Sequence, residues 1–265
     1  MLRTRIIPVL LIKDRKCIKT RRFRKSTYLG DLKNIVRIFN DKEVDELIIL
    51  DIQASRDRRG PDLDFLKEIL VECFMPVCYG GGISKSEEVG KLFFLGVEKV
   101  AINSHAFKNP EFIRQISDIY GSQSIVASVD VRKNFMGKYR CYTNGGENRT
   151  GMEPAVFIRK MQDFGAGEIL LNSIDSDGMM QGYDIELIRE ISVRVEIPVI
   201  ACGGAGKLSD FRDAVFDGGA DAAAAGSFFV FQGVHRAVLI SYPSRKEMEM
   251  LFRQEAIPIG RKRVE

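Results

Sequence analysis

The chain has 265 residues, 45% of them hydrophobic, and its 40 basic and 36 acidic residues leave a net charge of +4. That length allows one domain or two, and closed α/β barrels reach it as single domains. The charge is too mild to demand a nucleic-acid partner. The longest small or apolar run, 222–231, falls short of the ~20 residues of a membrane span. The early apolar run 6–12 breaks at Lys13 and Asp14 with no cleavage-like site. The five cysteines (Cys17, Cys73, Cys78, Cys141, Cys202) are odd in number and form no CxxC pair, which points to buried thiols in a reducing compartment. The expectation is a soluble cytoplasmic protein with no nucleic-acid or membrane partner.

In chain order, short apolar runs at 6–12, 47–51, 76–79, 99–103, 124–130, 168–172, 198–201 and 221–225 alternate with amphipathic helical patterns. The helical patterns fall at 30–40, 62–73, 85–95, 110–120, 154–164, 185–195 and 209–216. Near-continuous apolar strands between helices predict a parallel sheet covered on its outer face. Eight such strands favour a (β/α)8 TIM barrel, an α/β fold, over an open sheet.

An internal repeat strengthens that reading. Glu46-Leu47 recurs as Glu168-Ile169, Pro76 as Pro198, Gly81-Gly82 as Gly203-Gly204, and Lys99 is matched by Asp221, all at one offset of 122 residues. A repeat of this length is a duplicated half-domain rather than a solenoid array. It predicts one barrel over 1–265, with half-barrels at about 1–122 and 123–240 and a tail at 241–265. The stretches PVCYGGGIS (76–84) and PVIACGGAG (198–206) then lie on opposite sides of one mouth. Glycine pairs at strand ends admit a ligand close to the backbone, and the N–H groups that follow can hold an anion. Two matched sites suggest a ligand anchored at both ends.

Barrel chemistry sits at the C-terminal ends of the strands. Asp51, Asp130 and Asp177 follow strands two, five and six, giving an acidic centre between the glycine sites. Asn103-Ser104 and Gly226-Ser227 end strands four and eight and complete the two cups. The segment 13–29 reads as a long basic loop, a mobile lid that attracts an anion. The segment 133–151 reads as a flexible turn or hairpin around Asn144-Gly145-Gly146. At the opposite strand ends stand Arg5, Glu46, Lys99 and Glu168; position alone favours two surface ion pairs, worth little, over a charged ring in the barrel floor. His105 and His235 have no ligand-spaced partners, so no metal site is expected. No GxSxG, Walker or strand-one GxGxxG motif is present, and no cofactor is expected.

These motifs resemble the cyclase subunit of imidazole glycerol phosphate synthase, of histidine biosynthesis. The resemblance rests on RIIP at Arg5, DELIILDI at Asp45, YGGGI at Tyr79, KVAIN at Lys99, YGSQ at Tyr120, SVD at Ser128, GAGEILLNSIDSDG at Gly165 and ACGGAGK at Ala201. It covers about residues 1–231. It implies a two-fold symmetric barrel that docks a HisH-like glutaminase on its floor, takes ammonia through its interior and uses it at the top on a bis-phosphorylated substrate. By this resemblance Asp130 is the catalytic acid. Lys19, Asp51, Asn103 and Asp177 line the mouth. Gly82, Ser104, Gly204 and Ser227 match the family's phosphate loops. Arg5, Glu46, Lys99 and Glu168 match the ring that gates ammonia; on that basis the glutaminase is expected to bind the floor near Arg5, Glu46, Glu98 and Lys99.

One position departs from the family. Where it places a second catalytic aspartate after strand one, this chain reads VLLIKD, with leucine at position 11. Internally, VLLIK aligns with SVDVR, pairing Leu11 with Asp130. Leucine can neither shuttle a proton nor hydrogen-bond, and loss of a general acid or base costs ~10²–10⁴-fold in rate. A second resemblance accommodates this. FNDKEVDEL at Phe39, ECFMPVCYGGGI at Glu72, LNSID at Leu171 and FVFQGVHRAVLISYP at Phe229 are similar to a paralogous branch encoded in surface-polysaccharide loci and associated with acetamidino sugars. That branch implies ammonia supply to a sugar amidotransferase.

Overall fold

A computed structural model describes residues 4–253. Eight parallel strands close on themselves: β1 Arg5–Lys13, β2 Leu47–Asp51, β3 Val77–Gly80, β4 Lys99–Ile102, β5 Ile125–Lys133, β6 Glu168–Ser173, β7 Val199–Cys202 and β8 Ala222–Ala225. Each pairs with the next, and β8 returns to β1 through Arg5↔Ala222 to Pro8↔Ala225. The chain is thus a (β/α)8 barrel. The outer ring consists of α1 Leu32–Asp41, α2 Leu63–Leu70, α3 Ser86–Phe94, α4 Glu111–Tyr120, α5 Pro154–Asp163, α6 Ile185–Ser192, α7 Leu208–Phe216 and α8 Arg245–Arg253. No helix among the described residues is long and apolar enough to cross a membrane. The last six residues, 260–265, expected to be disordered, lie outside the described residues.

Two apolar cores follow from the strand pattern. Side chains of one phase pack outward against the helices, with Phe39, Phe157, Phe211 and Phe229 fully buried there. The other phase fills the barrel interior with Ile7, Val9, Ile48, Cys78, Ala101, Val126, Leu170, Ile200, Ala222 and Ala224. Continuous apolar strands are what a sheet buried on both faces requires.

The duplication is visible in the capping chemistry. Asp62 and Asp184, 122 residues apart, each accept a hydrogen bond at 3.1 Å, from the N–H groups of Phe65 and Leu187, and start α2 and α6. Such a cap is worth ~1 kcal/mol. Glu88 accepts from the N–H groups of Ser84 and Lys85 ahead of α3, and Asp210 from Gly206 and Lys207 ahead of α7.

The segment after β1 is not an irregular loop. β1 turns through Asp14 and Arg15, both at positive φ, into antiparallel Lys16–Thr20 and then Ser26–Gly30. β5 likewise runs on into Tyr139–Thr143. The excursions match: Cys17 opposes Ile12 and Cys141 opposes Val131, and both thiols are fully buried. The two-residue turn at 14–15 contains no Asn or Gly, the usual signal for that geometry. A short hairpin, Phe231–Gln232 with Ala237–Val238, precedes the tail, whose described part carries α8.

Candidate functional site

The mouth of the barrel is a cavity bounded by the strand ends and the two excursions. Leu11, Lys19, Asp51, Gly82, Asn103, Ser104, Asp130, Asp177 and Gly226 all line it, so the structure brings most of the expected site together. Gly204 and Ser227 stand beside it. Gly204 packs on the loop at Gly182, and the buried Ser227 opens the short helix Ser227–Val230.

Asp130 occupies the centre. Asn103 Nδ2 donates to its carboxylate at 3.2 Å and to the Ser128 carbonyl at 3.0 Å. Burial pushes its carboxyl up to about 7, the Asp177 carboxylate raises it further, and a hydrogen bond from Asn172 opposes both. A carboxyl of that pKa exchanges a proton readily near neutrality. Asp177 is tied down: Lys19 Nζ reaches it at 2.7 Å with both side chains almost fully buried, and Thr20 Oγ1 donates at 3.2 Å. Asp51 has a partly structural part. It accepts from the N–H groups of Gln53 and Ala54 at 3.0 Å each and pairs with Arg59 at 2.8 Å.

The two excursions are fastened across the mouth by related contacts. The first binds the loop after β6, through Lys19–Asp177 and Arg22 N–H to the Asp177 carbonyl at 2.9 Å. The second binds the loop after β2, through Arg56 to the carbonyls of Asn144 and Gly145 at 3.2 and 3.1 Å. Leu11 lies beneath the first. It is 7% exposed, packs in the interior cluster, and opposes Leu50 and Ile18. Asp130 opposes Asn172 and Tyr142. Leu50 and Asn172 are repeat mates, so the backbone places Leu11 where the second half places Asp130.

The glycines are required by the fold itself. Gly82 and Gly204 have φ of +71° and +126°. A Cβ would stand 2.3 Å from the Arg59 carbonyl oxygen at Gly82 and 2.1 Å from that of Gly182 at Gly204. They are therefore required by the neighbouring loops whatever binds in the cups. Gly226 gives room to the Lys19 stem, which a Cβ would meet at 2.8 Å. Ser104 Oγ accepts from the Asn144 N–H at 3.0 Å, and Ser227 Oγ from Arg236 at 3.2 Å.

At the opposite end the four charges close a ring. Arg5 reaches Glu46 at 2.5 Å and Glu168 at 2.7 Å, and Lys99 reaches Glu168 at 2.8 Å and Glu46 at 3.2 Å. Burial alone would lower the Arg5 pKa, but Glu168 and Glu46 more than offset it and raise it. The ring lies below the apolar interior, and exposed Glu98 adjoins it.

The model of the family described as histidine biosynthesis protein matches residues 5–235. The chain belongs to that family, as a HisF-type barrel. It is 48% identical over 250 residues to the "Putative imidazole glycerol phosphate synthase subunit hisF2" of Pseudomonas aeruginosa, covering 94% of this chain and 100% of that protein. It is 45% identical over 248 residues to the "Putative imidazole glycerol phosphate synthase subunit hisF3" of Vibrio vulnificus, covering 93% and 95%. It is 42% identical over 234 residues to the "Imidazole glycerol phosphate synthase subunit HisF" of Alkaliphilus metalliredigens, covering 88% and 93%. The numbered relatives are consistent with a paralogous branch of HisF-type proteins.

Three residues in or around the mouth carry little or no signal in the sequence: Asn172 lines the cavity, and Arg59 and Arg236 hold residues at its edge. Asn172 shares the inward phase of Leu170, two residues earlier, and that phase is its only signal. Arg59 reaches Asp51 from a turn. Arg236 comes from the 231–238 hairpin and donates to the Gly178 carbonyl at 3.0 Å as well as to Ser227; neither arginine is marked by spacing.

Proposed function

We propose that this HisF-type chain is the synthase subunit of a two-subunit glutamine amidotransferase. A HisH-like glutaminase docks on the floor around Glu98 and the ring of Arg5, Glu46, Lys99 and Glu168. Ammonia enters there, crosses the apolar interior and is delivered beside Asp130 to a phosphorylated sugar-type acceptor whose anionic ends occupy the cups at Gly82/Ser104 and Gly204/Gly226/Ser227. The product is an amidated sugar of surface-polysaccharide synthesis, and a sugar amidotransferase is the third partner. The apolar interior suits neutral ammonia, since burial of an ammonium ion without a partner is costly.

The observation that carries this reading is Leu11. Ammonia addition with ring closure needs protons moved at two places, and the mouth has one carboxyl poised near neutrality with a leucine at the equivalent place in the other half. The remaining carboxylates, Asp51 and Asp177, are engaged by Arg59 and Lys19. The second reading is a working histidine-pathway cyclase, favoured by the presence of Asp130 and both cups.

Purified protein with its glutaminase, assayed on the phosphoribulosyl imidazole precursor, separates the two. The expected result is negligible turnover by the natural chain and a gain of about 10²-fold or more in Leu11→Asp, the range of one general acid or base. Robust turnover by the natural chain overturns the first reading.

A further inference from the structure

Asn172 is 7% exposed, and its Oδ1 is buried without a hydrogen-bond partner among the described residues. Other buried side-chain atoms share that condition, at Glu46, Gln53, Asn134, Asn144, Ser192 and Arg212, but of these residues only Asn172 lines the mouth cavity. Leaving a buried amide oxygen unsatisfied is costly, so its retention calls for an occupant with an N–H or O–H to give. The side chain's direct neighbour across the β5–β6 ladder is Asp130, whose ionised form Asn172 favours. The amide oxygen is the atom left without a partner beside Asp130. Gly203 keeps the oxygen uncrowded, since a Cβ there would stand 2.8 Å away.

The position in the barrel identifies the occupant. Below Asn172 on its own strand is Leu170, and the interior around it is Ile200, Val126, Cys78, Ala222 and Ala224. We infer that Asn172 is a positioning residue for ammonia: its Oδ1 accepts one N–H of the molecule that has crossed the apolar interior and holds it beside Asp130. The inference rests on the ammonia-delivering reading above.

The geometry also lets one carboxyl serve where two would otherwise be needed. Ammonia held by an N–H keeps its lone pair free. That pair forms the C–N bond to the polarised carbon of a C=O or C=N group on the acceptor, and the π electrons move to the acceptor's O or N. The new ammonium nitrogen gives a proton to the ionised Asp130, and Asp130 passes the same proton to the acceptor's negative O or N. Nothing is oxidised or reduced, and the carboxylate is regenerated. A single relay of this kind tolerates Leu11.

The test uses ammonium chloride as the probe and needs no acceptor. The full chain carries ¹³C at aspartate carboxyl carbons, and the Asp130 signal, assigned by its loss in Asp130→Asn, is followed at pH 8 with ammonium chloride or with potassium chloride at equal ionic strength. The expected result is a saturable shift with ammonium only, lost in both Asn172→Leu, which keeps the side chain's size, and Asn172→Ala, at thermal midpoints that show both variants folded. An unchanged ammonium response in either folded variant overturns the inference, as does the absence of an ammonium-specific response in the natural chain. Failure of the functional reading registers separately, as turnover of the imidazole precursor.

Discussion

Asp130 keeps its proton to about pH 7 because its carboxyl is buried and faces Asp177. Two predictions belong to this one residue. Asp177→Asn removes a negative neighbour and frees Lys19, so the Asp130 pKa falls toward its ordinary 3.8, while Asn172→Leu removes a donor to the ionised form and raises it. Carboxyl-carbon titration by NMR reads both, and a shift of the opposite sign in either variant removes the assigned cause. The same pKa sets a stability difference. The folded chain holds this proton up to about 7 and the unfolded chain releases it near 3.8, so the stability associated with the group is complete below pH 4 and is lost as pH rises to 7. Asp130→Asn, which never ionises, is therefore expected to raise the thermal midpoint at pH 8 and to leave it nearly unchanged at pH 4. An equal effect at both values would mean that packing rather than charge explains it.

At the level of elements, the glycine strand ends are structural before they are functional. Gly204→Ala combines a φ of +126° with a Cβ 2.1 Å from the Gly182 carbonyl. A forced left-handed conformation costs ~1–3 kcal/mol by itself, so with the clash a loss of about 3 kcal/mol is expected from denaturant unfolding. Gly96→Ala is the control, since nothing lies within 4 Å of a Cβ there, and only the backbone cost should appear. The eight strands, the helices that follow them and the 122-residue repeat were legible because burial on both faces of a parallel sheet writes itself as apolar runs, and because caps such as Asp62 and Asp184 recur with the repeat. The excursion after β1 was not legible. Its two-residue turn uses Asp14 and Arg15, and its strand 16–20 has only Cys17 and Ile18 between two lysines, so it reads as a charged loop although Lys19 is buried. Lys19 escapes that appearance only because Asp177, 158 residues away, neutralises it. The helix 245–253 leaves little trace in the sequence for a different reason: it is polar overall, and of its residues only Met248 is fully buried.

At the level of the whole molecule, the floor ring and the surface around it should behave differently. Position alone favours surface ion pairs for Arg5, Glu46, Lys99 and Glu168 over the ring they form, because residues from four separated strands meet only when the barrel closes. Once closed, each carboxylate of the ring has two cationic partners and each cation two carboxylates. Lys99→Met leaves Glu46, almost fully buried, and Glu168 sharing Arg5, and breaking a buried ion pair on one side costs ~3–5 kcal/mol. The floor is partly open to water, with Arg5 about a quarter exposed, so a loss of about 2 kcal/mol is expected in the isolated chain. Glu98 adjoins the ring but is exposed, and Glu98→Ala should stay within ~0.5 kcal/mol of the natural stability. If a glutaminase seats on this floor, the order reverses in the partnered state: Glu98→Ala weakens association measured by calorimetry while leaving the chain's own unfolding unchanged. Association at the natural affinity would place the docking surface away from Glu98, and a loss of both stability and association would make the residue a support of the fold.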